Sequence, residues 1–165
     1  MSSFDSFTEP YDYSEGELPI LVSMPHSGLE LTPEVQAGLA SYAQALPDTD
    51  WYIPEIYDFL ADMNISVIKA NYSRYVIDLN RPYDDERLYT SKTTGLFPDI
   101  TFDDQPLFVN EPADGHRQWC KQTIWLPYHT KIEERLRELK AKHGYAILFD
   151  AHSIAAQVPM FFDGE

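Results

Sequence analysis

Residues 18–28 read Leu-Pro-Ile-Leu-Val-Ser-Met-Pro-His-Ser-Gly, and this stretch decides the fold class. Ile20 to Met24 is a short apolar run, bounded by Pro19 and Pro25. Neither proline can donate to a central β-ladder, so the run predicts a buried strand with defined ends. A polar turn, Pro25-His26-Ser27-Gly28, follows at once. Next comes Thr32-Pro33-Glu34, which has the form of an N-cap, a proline at the first helical position and an acidic first turn. A helix is expected from there to Tyr42.

The same alternation recurs along the chain. Asp48-Thr49-Asp50 can cap a helix with apolar positions Trp51, Ile53, Ile56, Tyr57 and Leu60, and Pro54 is tolerable near its first turn. Ser66 to Ala70 predicts a second strand and Tyr75 to Leu79 a third, rich in β-branched and aromatic residues. From Pro82 to Pro112 the chain is polar and proline-rich, an irregular excursion of a length that usually serves function or is disordered. Gly115 to Lys142 has helical periodicity, with Pro127 set to kink or divide it; Gly144 ends it, and Tyr145 to Phe149 predicts a fourth strand. Strands alternating with helices imply a layered α/β fold with a mostly parallel sheet flanked by helices. Residues 1–165 are expected to form a single α/β domain. The first 19 residues read as a surface arm or an edge segment.

Composition narrows the function. The formal net charge of −15, with only 12 Lys and Arg, argues against nucleic acid as a partner. No run approaches the roughly 20 apolar residues needed to cross a bilayer, and the acidic N-terminal segment has no secretory signal pattern. The expected address is the cytoplasm. With Cys120 as the single cysteine, any metal must be held mainly by His and carboxylates.

Chemistry in such sheets collects beyond the carboxyl ends of the strands. His26 follows the first strand, Asp78-Leu79-Asn80-Arg81-Pro82 the third, and Asp150-Ala151-His152-Ser153 the fourth. Two imidazoles and one carboxylate suit Zn²⁺ and leave a position for water. His26 and His152 are therefore the first two expected ligands, against the plainer reading that both hydrogen-bond to loop carbonyls. Asp50 is favoured as the third, with Glu30 and Asp48 as alternatives, although Asp50 serves equally as a helix cap. Arg81, with Asn80 beside it, suits a carboxylate of a small anionic substrate, unless it pairs with Asp78 or Asp84. Arg74 is a second possible anion clamp or an ordinary surface ion pair. His116, His129 and His143 read as surface residues of the long helix.

Four stretches in this order, LPILVSMPHSG (18–28), DTDWYIPEIYDF (48–59), NYSRYVIDLNRP (71–82) and LFDAHS (148–153), resemble the N-formylglutamate amidohydrolase (N-formylglutamate deformylase) family. That family is similar in turn to the zinc carboxypeptidases. The resemblance implies zinc-dependent hydrolysis of N-formyl-L-glutamate to formate and L-glutamate in histidine degradation, with His26 and His152 holding the metal and the carboxylate ligand left open. It implies Asn80 and Arg81 as carboxylate binders. A metallo-carboxypeptidase, another acylamino-acid hydrolase or an inactive metal-binding fragment are the alternatives. Two features depart from the pattern. The carboxypeptidase glutamate expected three residues after the first histidine meets Leu29, with Glu30 one residue late. Relatives also run on for a further stretch, so the resemblance implies a chain incomplete at its C-terminus and a general base beyond Glu165.

Overall fold

The computed structural model describes residues 8–86 and 94–154. The expectations for 1–7, for 87–93 within the irregular excursion, and for 155–165 lie outside the described residues. Four strands form one sheet: β1 (Tyr11–Ser14), β2 (Ile20–Met24), β3 (Ser66–Ala70) and β4 (Ile147–Asp150), in the order β1-β3-β2-β4. β2 is parallel to both β3 and β4, with Val22 opposite Val67 on one side and Phe149 on the other. β1 runs antiparallel to β3, so the sheet is mixed and its parallel part is the centre. The N-terminal arm thus supplies an edge strand, one of the two readings its sequence allowed.

The run Tyr75 to Leu79 does not form the expected third strand. All five residues are at most 3% exposed, but Val76 donates back to the Ser73 carbonyl at 2.9 Å and Asp78 donates to Leu96 O at 2.8 Å. The segment is a buried turn with no ladder on either side. An apolar run reports burial, and burial on every side is not a strand. The fourth strand also lies slightly later than predicted, at Ile147–Asp150, which carries its end closer to His152.

Alternation along β2 divides the core into two layers. Leu21 faces a large cluster that includes Ile68, Val76, Leu79, Ile124, Tyr128 and Leu139. Val22 and Met24 face a smaller one formed with Ile53, Leu60, Ile65 and Ala151. The first layer is covered by the long helical segment α3 (Asp114–Cys120), a π turn (Lys121–Trp125) and α4 (Leu126–His143). The predicted division at Pro127 appears as this π turn just before it. Gly144 caps α4 at φ 84°, a left-handed conformation that glycine adopts at little cost.

Helix α1 (Pro33–Gly38) has the predicted cap, with Thr32 Oγ1 accepting from the Val35 amide at 3.4 Å. It ends earlier than predicted and is followed by a 3-10 turn, Ser41–Ala45. Its last residue, Gly38, lies close against the chain at Asn110, where a Cβ would lie 2.1 Å from Asn110 O. The helix expected from Asp50 is reduced to one turn, α2 (Ile53–Ile56), with a 3-10 turn at Asp58–Leu60. Asp50 does not cap it, because the N-cap position is Tyr52, in the left-handed region at φ 64°. Among the described residues no helix is long and apolar enough to cross a membrane.

Candidate metal centre

Because β2 and β4 are parallel neighbours, their carboxyl ends lie on one edge of the sheet, and the chain places His26 and His152 just past those ends. Asp50 is brought there by the backbone: its amide donates to His26 O at 3.0 Å. His26, Asp50 and His152 each offer one ligand atom, and the three lie within 4.8 Å of one another. Asp50 Oδ2 is the shared vertex, 3.0 Å from His152 Nδ1 and 3.8 Å from His26 Nδ1. The two imidazole rings are 4.9 Å apart between centroids. His26 and Asp50 are each 5% exposed, while the His152 side chain is 32% exposed and faces the open side.

The alternatives for the carboxylate position do not join the group. Asp48 accepts from Tyr75 Oη at 2.8 Å and from the Phe102 amide at 3.1 Å, a structural role in which burial raises its carboxyl above the usual range. Glu30 is exposed, in a backbone bridge with Tyr72. Asp50 is thus singled out by geometry, where its sequence allowed a cap equally well.

Behind His26 stands Asp78, fully buried. His26 Nε2–H donates to Asp78 Oδ1 at 2.6 Å, the Asn80 amide donates to the same oxygen at 2.9 Å, and Arg74 Nη2 donates to Oδ2 at 2.7 Å. Burial alone would raise the Asp78 carboxyl, but the hydrogen-bonded His26 and the charge of Arg74 outweigh it and hold it well below the usual range. Burial is also the largest influence on His26 and lowers its pKa, against the pull of Asp78. Near pH 7 the pair is an ionised carboxylate and a neutral imidazole whose proton sits on Nε2. That leaves Nδ1 as a lone-pair donor on the side of Asp50. A carboxylate fixing the tautomer of a histidine in this way is the usual support of a metal ligand.

Arg74 is 5% exposed, committed to Asp78, with its guanidinium carbon 4.6 Å from the Phe102 ring centroid. The reading of Arg74 as an anion clamp is corrected: its charge is used inside the protein to hold Asp78. Arg81 differs. It pairs with neither Asp78 nor Asp84; Nε donates to Thr94 O and Nη1 to Asn80 O, each at 2.8 Å, and Nη2 has no hydrogen-bond partner among the described residues. Asn80 is exposed, with its side-chain amide 3.4 Å from His152 Nε2. A groove of about 550 Å³ opens against Asp50, lined among others by Ser27, Gly28, Trp51 and Tyr52 but not by Asn80 or Arg81. Asn80 lies instead on the His152 side of the cluster.

The sequence profile of the N-formylglutamate amidohydrolase family matches residues 18–165. The chain belongs to that family. It is 51% identical over 158 residues to the N-formylglutamate deformylase of Pseudomonas aeruginosa, covering 94% of this chain and 59% of the relative. It is 48% identical over 155 residues to the N-formylglutamate deformylase of Pseudomonas putida, covering 93% of this chain and 58% of the relative. The chain therefore spans a little under three fifths of the length of these relatives. The fold is similar to the crystal structure of N-formylglutamate amidohydrolase from Ralstonia eutropha, with a TM-score of 0.76 at 19% identity over 89% of this chain and 58% of the other. An Agrobacterium tumefaciens protein is similar at a TM-score of 0.71 and 14% identity, over 89% of this chain and 57% of the other.

Two residues with long-range partners escaped the sequence reading. Asp78 was visible only as part of a strand end, and nothing local ties it to a histidine 52 positions earlier. His129 is half-buried and not a surface residue: it stacks on Trp125, with centroids 3.8 Å apart, and donates to Leu79 O at 2.9 Å. His116 is likewise drawn in, 3.0 Å from Thr32 Oγ1 and 3.4 Å from the buried Cys120 thiol. Trp125 and His129 stand four residues apart, which puts both on one helix face. That spacing was the available signal.

Proposed function

We propose that this protein is a zinc-dependent amidohydrolase that cleaves N-formyl-L-glutamate to formate and L-glutamate, a step of histidine degradation. The observation that carries the reading is the convergence of His26, Asp50 and His152 within 4.8 Å, with Asp78 buttressing His26 and Asn80-Arg81 alongside. Two imidazoles and one carboxylate are a donor set that fits Zn²⁺ with a position left open. Bound there, zinc would polarise the formyl carbonyl and make its bound water acidic enough to react near neutral pH.

The chain's own residues supply the rest. His26, Asp50 and His152 would hold the metal, and Asp78 keeps the Nε2 proton of His26 in place so that Nδ1 stays available. Arg81 presents its remaining Nη2 donors, and Asn80 its side-chain amide, to a carboxylate of the substrate. The protein carries a net charge of −15, so its long-range field repels an anion, and this local cation must provide the attraction. Asp50 and Asp78 are both committed to holding roles, so this reading takes its general base from outside the described residues.

The test is formate release from N-formyl-L-glutamate by the purified, zinc-loaded chain, with metal content measured in parallel. We expect one zinc per chain, lost on replacing His26, Asp50 or His152 with Ala. Release that persists with chelator, or in His152→Ala, overturns the metal reading. Faster cleavage of N-acetyl-L-glutamate or of short peptides favours the other acyl-hydrolase readings. One zinc per chain with no turnover of any of these favours a metal-binding fragment.

A further inference from the structure

The segment Leu79-Asn80-Arg81 is held at each of its carbonyls. His129 Nε2–H donates to Leu79 O at 2.9 Å, Arg81 Nη1 donates to Asn80 O at 2.8 Å, and Trp125 Nε1–H donates to Arg81 O at 2.9 Å. Two of these three donors come from the long helical segment, across 44 and 50 positions of sequence. The same segment grips Tyr83, the next residue but one. Gln122 Nε2 donates to Tyr83 Oη at 2.6 Å, Lys121 Nζ lies 4.8 Å from the Tyr83 ring centroid, and the Trp125 ring packs edge-on at 5.2 Å.

The grip is made where the helix carries its π turn, Lys121–Trp125. The first buried positions along the helix fall at Cys120, Ile124, Tyr128 and Ile132, a spacing of four, before Arg135 and Leu139. In a straight α-helix with 3.6 residues per turn, a set spaced by four drifts by roughly 40° at each step. A π turn at Lys121–Trp125 holds more residues per turn and absorbs part of the drift. It keeps Ile124 and Tyr128 in the core while their C-terminal neighbours, Trp125 and His129, stay stacked against residues 79–83. π bulges inside helices occur often at functional sites.

We propose that the π turn, through Trp125, together with His129 one turn beyond it, positions Asn80 and Arg81 for carboxylate recognition. Trp125 and His129 are positioning residues: Trp125 holds the Arg81 carbonyl and His129 the Leu79 carbonyl just before the binding pair, and neither touches the reacting atoms. The inference rests on the reading of Asn80 and Arg81 as carboxylate binders. A hydrogen bond that aims a backbone segment is worth on the order of tenfold in affinity when removed.

The experiment uses the full zinc-loaded chain and three variants: Trp125→Phe, which keeps the ring and removes the donor; His129→Leu, which removes the donor; and His129→Gln, which restores an N–H. Calorimetry with N-formyl-L-glutamate and L-glutamate gives affinity. Nuclear magnetic resonance of the Asn80 amide and the Arg81 Nε–H reads the segment directly. Trp125→Phe and His129→Leu are expected to weaken both ligands about tenfold and to shift both resonances, with zinc affinity unchanged; His129→Gln should recover to within about twofold. A merely structural role lowers the melting temperature without moving the resonances or the affinity, and that result overturns the proposal. Should the parent chain bind neither ligand, the substrate reading fails and the resonances alone decide. Unmoved resonances in Trp125→Phe and His129→Leu then overturn the positioning role, and displaced ones recovered in His129→Gln support it.

Discussion

Replacing Asp78 with Asn keeps the size of a fully buried side chain and removes its charge. The carboxylate accepts three hydrogen bonds: from His26 Nε2 at 2.6 Å, Arg74 Nη2 at 2.7 Å and the Asn80 amide at 2.9 Å. An amide has one acceptor oxygen and one NH₂. Whichever way it is placed, the NH₂ opposes a donor, either the Arg74 guanidinium or the His26 and Asn80 N–H groups. Turned toward Arg74, it leaves a cation only 5% exposed without its counter-charge. Breaking a buried pair by removing one partner costs about 3–5 kcal/mol. At roughly 2–4 °C per kcal/mol for a domain of this size, the melting temperature should fall by about 6–20 °C. Turned toward His26, the NH₂ favours the tautomer protonated on Nδ1, which takes away the lone pair facing Asp50. Loss of such a support typically lowers metal affinity about 10–100-fold. The assay is zinc affinity by chelator competition, together with thermal unfolding of the metal-free chain, on Asp78→Asn and the parent. Zinc affinity and melting temperature both unchanged would refute the role given to Asp78.

Three further outcomes are expected. Gly28→Ala puts a Cβ 2.2 Å from Tyr72 O in the turn that carries His26, so the backbone must move; a melting temperature and zinc affinity equal to the parent's would contradict this close approach. Stability of the metal-free chain should fall with acid in two windows. His129, lowered chiefly by burial, binds its proton more readily unfolded, so stability declines as pH drops below about 6.5. Asp78, lowered by His26 and Arg74 despite its burial, contributes stability that is present above about pH 4 and lost below it, while Asp48, raised by burial, opposes this second decline. Urea midpoints that are flat from pH 7 to 3 would count against both assignments. Finally, among the described residues β4 lies at the edge of the sheet, with Ile147, Leu148 and Phe149 between 42% and 48% exposed, a pattern prone to edge association. Ile147→Lys should raise the concentration at which light scattering detects association, with stability changed by about half a kcal/mol at most, as is usual for exposed sites; scattering identical to the parent's would sink that expectation.

The sequence by itself determined the strands with sharp ends. Ile20–Met24 lies between prolines, Ser66–Ala70 follows a turn, and the fourth strand follows a glycine cap, read from Tyr145 to Phe149 and found at Ile147–Asp150. Their order among helices determined the parallel centre of the sheet. Parallel neighbours in turn place His26 and His152 at one edge, because strands running the same way end on the same side. Local pattern also gave the Thr32 cap and the Gly144 stop, since both act within a few residues.

Tertiary structure decided what depends on long-range partners. Tyr75 to Leu79 is apolar because it is enclosed on every side, and that composition cannot be told from a central strand without knowing what surrounds it. Asp50, Asp48 and Glu30 are equal as carboxylates in sequence; the hydrogen bond from the Asp50 amide to His26 O separates them. The charge of Arg74 turned inward for the same kind of reason: Asp78, four positions along, is buried and needs a cation. Asp78 finds His26 across 52 positions, Trp125 finds the Arg81 carbonyl across 44, and His129 the Leu79 carbonyl across 50. Periodicity records which face of an element is buried; it carries no record of which distant group meets that face.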